Sequence, residues 1–173
     1  MNLLQKFKPI TTFIFDIDGV LTDGSLLVMS GDQQLRSMHV RDGLGLQIAI
    51  KNGYRVLIIS GGFSEAVKER LTYLGISDVH MSIKDKKQFV SEYISLNSLA
   101  WQETLYMGDD LPDMQLLKAV GISCCPADAI PEIREFADYI SPHNGGQGCA
   151  RDVIEKVLKI NDHWQYEADI VSK

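Results

Sequence analysis

The chain has 173 residues, 45% of them hydrophobic and 23% charged, an ordinary globular composition long enough to bury one substantial core. Its net charge is −6, with the lysines and arginines scattered rather than massed, which argues against nucleic acid as a partner. The apolar runs are strand-sized and interrupted by charge, so no membrane span is expected, and the first ten residues lack the apolar core of a signal peptide. Three cysteines, two of them the neighbours Cys124 and Cys125, make no disulfide framework and read as buried, reduced thiols of a cytoplasmic protein.

In chain order, residues 12–17 read as a first strand. Next come 25–29 and 34–39, flanking Ser30-Gly31-Asp32-Gln33, which predict a β-hairpin. Residues 44–52 predict a helix ended by Gly53. Strand 55–60 leads to helix 64–74, opened by Ser64 and ended by Gly75. A short strand at 78–81 precedes helix 86–95. Strands at 104–107 and 122–125 bracket helix 112–120, and helix 131–136 opens on a proline. A short strand at 139–140, a flexible Gly145-Gly146-Gln147-Gly148 loop and helix 151–159 complete the pattern. The tail from Asn161, with Trp164 and Tyr166, is expected to pack on a neighbouring surface or fray. Strand–helix alternation at this spacing predicts an α/β, doubly wound, mostly parallel sheet, Rossmann-like, in a single domain over 1–173.

In such a sheet ligands bind beyond the carboxyl ends of the strands. Those ends carry Asp16-Ile17-Asp18, then Ser60-Gly61-Gly62, then Lys84-Asp85-Lys86-Lys87, then Gly108-Asp109-Asp110-Leu111-Pro112-Asp113. Asp16 and Asp18 are two apart and face the same way on a strand, where two like charges repel unless a cation intervenes or one is protonated. Mg2+ takes oxygen ligands in near-octahedral geometry, and Asp16, the Asp18 backbone carbonyl and Asp109 can supply the protein's share. An aspartate beside a phosphoryl group can act as nucleophile, and Asp18 can protonate the leaving oxygen and later accept a proton from water. Ser60, the Gly61 and Gly62 amides and Lys86 can hold the phosphoryl oxygens.

These four stations resemble the haloacid dehalogenase superfamily. The resemblance implies Asp16 as nucleophile, Asp18 as general acid/base, Ser60 and Lys86 as phosphate ligands, Asp109 as metal ligand, and Asp110 and Asp113 as supporting acids. Lys86 is preferred over Lys84 by its spacing to Gly108. The gaps between stations leave no room for a cap domain, so a neighbouring subunit is the expected cover.

The runs DIDGVLTDG and HVRDGLGLQIA, the hairpin, the GGQG loop and a short C-terminal helix resemble the capless 3-deoxy-D-manno-octulosonate 8-phosphate phosphatases over nearly the whole chain. That resemblance implies a homotetramer with associated hairpins. It also implies release of phosphate from an eight-carbon sugar acid in cytoplasmic lipopolysaccharide precursor synthesis. A sister group acts on nine-carbon, sialic-acid-like phosphates. Many members have arginine where this chain has Gly62, and the sister group tends to glutamate. The GGQG loop carries Gln147 where arginine is common. Arg70 matches a basic position of the family and can meet a substrate carboxylate, as can Arg36 and Arg41 from the same or a neighbouring subunit.

Plainer roles are open to several of these residues. Asp23 and Asp32 suit turns, Asp42 suits a helix N-cap, Asp110 and Asp113 suit the cap of the next helix, and the three arginines suit a solvated or ion-paired surface. The four histidines lack ligand spacing for zinc. A receiver-type phospho-acceptor module is the non-enzyme alternative, but receivers carry the phosphorylated aspartate on a later strand.

Overall fold

The computed structural model describes residues 3–31 and 34–165. Six parallel strands form one sheet: β1 (Thr12–Phe15), β4 (Arg55–Ile59), β5 (Asp78–His80), β6 (Thr104–Met107), β7 (Ile122–Cys125) and β8 (Tyr139–Ile140), in the order β5-β4-β1-β6-β7-β8. The separate antiparallel hairpin is β2 (Leu27–Val28) with β3 (Gln34–Leu35). Its strands are shorter than expected: past β3, Arg36 turns to Asp18, Met38 bridges to Thr22 and His39 caps the next helix.

Side-chain alternation divides each strand between two cores. Phe13, Phe15, Val56, Ile58, Leu105 and Met107 enter one layer with residues of α2 (Val40–Lys51), α3 (Glu65–Tyr73) and α7 (Cys149–Ile160). Ile14, Leu57, Ile59 and Tyr106 enter the other, under α4 (Lys86–Leu96), α5 (Met114–Leu117) and α6 (Pro131–Phe136). Both faces being covered, the central strands are apolar throughout, and all three cysteines are buried in these layers as free thiols.

A short helix, α1 (Leu3–Phe7), was not legible as an element; Phe7 is fully buried, edge-on to the Tyr139 ring. Helix α2 begins at Val40, four residues before the predicted start, because His39 caps it by accepting from the Arg41 N–H. The predicted helix 112–120 is a short 3-10 turn, Leu111–Asp113, followed by one turn of α-helix. Trp164 packs on the chain's own core, with the Arg151 guanidinium 4.9 Å from its ring. Asp32 and Tyr166 lie outside the described residues.

Candidate active site

Strand β1 is flanked by β4 and β6, which are reached in opposite directions, so the crevice of this sheet opens at the end of β1. The Asp16 N–H still donates to Met107 O at 3.1 Å, after which residues 17–21 turn sharply through Gly19 at φ +85°. A Cβ at Gly19 would stand 2.0 Å from Asp109 Oδ2, so only glycine lets this turn lie against the acidic loop. The GGQG loop is not loose. A Cβ on Gly145 would meet Gly19 O at 2.1 Å, the Gly146 N–H donates to Val20 O, and Asp128 accepts the Gly145 N–H. The loop is a brace under the Asp18–Val20 turn.

Asp16 is 7% exposed, with Lys86 Nζ 3.0 Å from its carboxylate. Lys86, equally buried at the start of α4, also donates to Asp113 Oδ1 at 2.6 Å, whereas Lys84 is exposed. Asp113 is the hub: the Tyr106 hydroxyl donates to its Oδ1 at 2.5 Å, and the Asp109 and Asp110 N–H groups to its Oδ2 at 2.9 and 3.3 Å. Gly108 must be glycine here, since a Cβ would lie 2.4 Å from the Asp113 carboxyl. Asp110 caps the turn through the Leu111 N–H. The helix-capping role of Asp110 and Asp113 is therefore real, and for Asp113 it coexists with an ion pair to Lys86.

Burial raises Asp16 to about 6 despite the Lys86 charge, and raises Asp109 to about 7 with help from Asp113 and Asp16. Burial alone would lower Lys86, but Asp16 and Asp113 outweigh it and its pKa is raised. Tyr106, fully buried beside Asp113, stays a neutral donor. Asp16, Asp109 and Asp113 each offer an oxygen within 4.8 Å of the others. Because Asp113 already accepts from Lys86, Tyr106 and two amides, Asp16 and Asp109 are the carboxylates left to hold a cation. An all-oxygen set of two crowded anions suits a hard divalent ion.

Ser60 is buried at the end of β4, and its Oγ accepts the Gly62 N–H at 3.0 Å. The Gly62 amide, expected to face phosphate, is thus turned to Ser60, while the hydroxyl proton of Ser60 remains available to donate. Asp18, beyond the end of β1, is paired with Arg36, whose Nε and Nη2 lie 2.6 and 3.2 Å from its two oxygens. Arg70 lies along α3, with its guanidinium 6.0 Å from the Tyr73 ring and Nη2 near Gly43. Arg41 is exposed, in a cavity of about 380 Å³ with His143, Gln147 and Arg151. Asp42 is no N-cap of its own helix; it is buried and accepts from Gly148 and Arg151, capping α7. Tyr106 escaped the sequence reading because it continues an apolar strand, although a tyrosine buried between core positions requires a hydroxyl partner.

Residues 74–152 match the family model of haloacid dehalogenase-like hydrolases. The 3-deoxy-D-manno-octulosonate 8-phosphate phosphatase of Escherichia coli K12 is 32% identical over 157 residues, covering 91% of this chain and 84% of that protein. The chain belongs to the 3-deoxy-D-manno-octulosonate 8-phosphate phosphatase family. It is a phosphoric monoester hydrolase of the haloacid dehalogenase fold. A subfamily III A hydrolase structure from Legionella pneumophila superposes with a TM-score of 0.89 at 35% identity, covering 92% of this chain and 88% of that one. The Moraxella catarrhalis phosphatase, solved with magnesium, phosphate and the octulosonate sugar, superposes with a TM-score of 0.89 at 33% identity, covering 93% of each chain. Family membership sets aside the receiver-type alternative.

Proposed function

We propose that this enzyme is a Mg2+-dependent phosphatase of 3-deoxy-D-manno-octulosonate 8-phosphate, working through an aspartyl-phosphate on Asp16 in cytoplasmic lipopolysaccharide precursor synthesis. The observation that carries the reading is the buried Asp16 carboxylate at the end of β1, held 3.0 Å from Lys86 beside Asp109, in a chain of this family. Asp16 and Asp109 would hold a divalent cation, which would supply the charge neutralisation that lets two anions meet.

This chain's residues divide the rest. Lys86 orients Asp16 and places positive charge beside the incoming phosphoryl group, and the Ser60 hydroxyl donates to a phosphoryl oxygen. An Asp16 oxygen bonds to phosphorus as the ester oxygen departs with a proton from Asp18. Water then attacks phosphorus, gives a proton to Asp18 and releases Asp16 as carboxylate, so both carboxyl groups return to their starting states. Asp110 and Asp113 shape the loop, and Arg70 and Arg41 are proposed contacts for the substrate carboxylate.

The second reading is a nine-carbon, sialic-acid-like 9-phosphate. It stays open because Gly62 carries neither the arginine of many octulosonate phosphatases nor the glutamate of the sister group, and so favours neither substrate. Steady-state kinetics on eight- and nine-carbon sugar-acid phosphates, with Mg2+ and with chelator, separate the two. Asp16→Asn should lower kcat by at least roughly 1000-fold, as expected for loss of a nucleophile. Near-normal turnover would refute the aspartyl-phosphate route.

The proposed assembly is a homotetramer joined through the hairpins. It is supported by Leu27 and Val28, 64% and 69% exposed, with Leu26, Met29 and Leu35 also exposed. No described helix is long and apolar enough to cross a membrane.

A further inference from the structure

We propose that Arg36 is a specificity-determining residue that recognises the alcohol part of the substrate at the oxygen next to the scissile ester. This rests on the reading of Asp16 as nucleophile and Asp18 as acid/base. Arg36 comes from the segment after β3, yet its side chain is only 4% exposed, because it lies down onto Asp18. A guanidinium has five N–H donors in a rigid plane. Nε and Nη2 each give one to Asp18, and Nη1 gives one to Gln34 O at 3.4 Å. Among the described residues the other two, one on Nη1 and one on Nη2, have no acceptor. Unmet donors on a buried cation are costly, so this one is built to receive an oxygen that arrives with a ligand.

Gly62 locates that oxygen. A Cβ at Gly62 would stand 3.2 Å from Asp18 Oδ2, 3.4 Å from Arg36 Nη2 and 3.6 Å from Ser60 Oγ. The guanidinium therefore lies over the bare backbone of Gly62, where a side chain would otherwise stand. Lys86 is on the phosphoryl side, paired with Asp16 and Asp113. Arg36 is on the side of Asp18, the group that meets the ester oxygen. Its spare donors reach atoms a bond or two from that ester oxygen, which favours phosphate esters of polyols, with a hydroxyl on the adjacent carbon, over simple alkyl esters.

The test compares glycerol 1-phosphate with n-propyl phosphate, which differ by their hydroxyls, on wild type, Arg36→Met, Arg36→Lys and Gly62→Val, with Mg2+ present. Wild type should prefer the polyol ester in kcat/KM by roughly 10- to 100-fold, the worth of a hydrogen bond to a charged group. Arg36→Met should reduce that ratio to within about 3-fold, Arg36→Lys should recover only part of it, and Gly62→Val should lower it with the charge retained. Because the Asp18 side chain is 35% exposed, water can take the place of the guanidinium when Arg36 is removed. A wild type without preference, or an Arg36→Met enzyme that keeps the ratio, would overturn the inference. So would equal losses on both esters, which mark a role confined to holding Asp18. Octulosonate 8-phosphate is run alongside: if it is a poor substrate while the ester ratio depends on Arg36, the substrate proposal fails and this inference stands.

Discussion

The Tyr106 hydroxyl donates to Asp113 from the interior of β6, and through Asp113 it reaches Lys86 and then Asp16. Removing that hydroxyl leaves the buried Asp113 one donor short. Tyr106→Phe should cost about 1–2 kcal/mol in urea unfolding, and should lower kcat more than it changes KM because Lys86 loses its fixed partner. The buried carboxylates also make stability depend on pH. Asp16 and Asp109 titrate near 6 and 7 when folded, against 3.8 for an ordinary aspartate, because burial disfavours their charge. Between those limits the folded state binds more protons than the unfolded, so metal-free stability falls as pH rises from about 4 to about 7. A tenfold difference in proton affinity between the two states corresponds to about 1.4 kcal/mol. A cation that binds the ionised pair offsets this cost, so thermal melts should show a larger Tm gain from Mg2+ at pH 8 than at pH 5, and the gain should vanish with chelator. Equal gains at both pH values would contradict the crowded-carboxylate account.

At the scale of elements, Asp42 links two helices distant in sequence. It sits in the first turn of α2 and accepts from Gly148 and Arg151 at the start of α7, while Gly45 lets the Arg151 backbone approach α2 to 3.3 Å from where a Cβ would be. Asp42→Ala removes a buried cap, and should cost about 1–2 kcal/mol in chemical denaturation. It should also lower turnover, since the loop that α7 anchors braces the Gly19 turn. Unchanged stability would mean that water replaces the cap. The same case shows what the chain disclosed. Asp42 was legible as a cap, but its helix was not, because the partner amides lie more than a hundred residues away. Strand positions were legible because burial on both faces of a doubly covered sheet produces apolar runs. The start of α2 was not, because a histidine cap carries no strong signal.

For the whole molecule, the hairpin leaves Leu27 and Val28 in solvent, and the absence of a cap leaves the β1 crevice open to a neighbouring copy. Leu27→Asp combined with Val28→Asp should convert a tetramer to smaller species by light scattering, while the folded chain keeps its circular dichroism. A wild type that is monomeric at assay concentrations would refute the assembly.

The amino-acid sequence by itself determined the parallel sheet and that Asp16, Asp18, Ser60, Lys86 and Asp109 come to one edge of it, because strand ends in such a sheet are forced there. Spacing favoured Lys86 over Lys84 and Lys87 but left Lys84 a competitor, and the fold pairs Lys86 with Asp16. Tertiary structure alone decided how the charges pair: Lys86 between Asp16 and Asp113, Tyr106 beneath them, and Arg36 laid over Gly62 onto Asp18. Ion pairing depends on side-chain direction and burial in three dimensions, which neither periodicity nor spacing encodes.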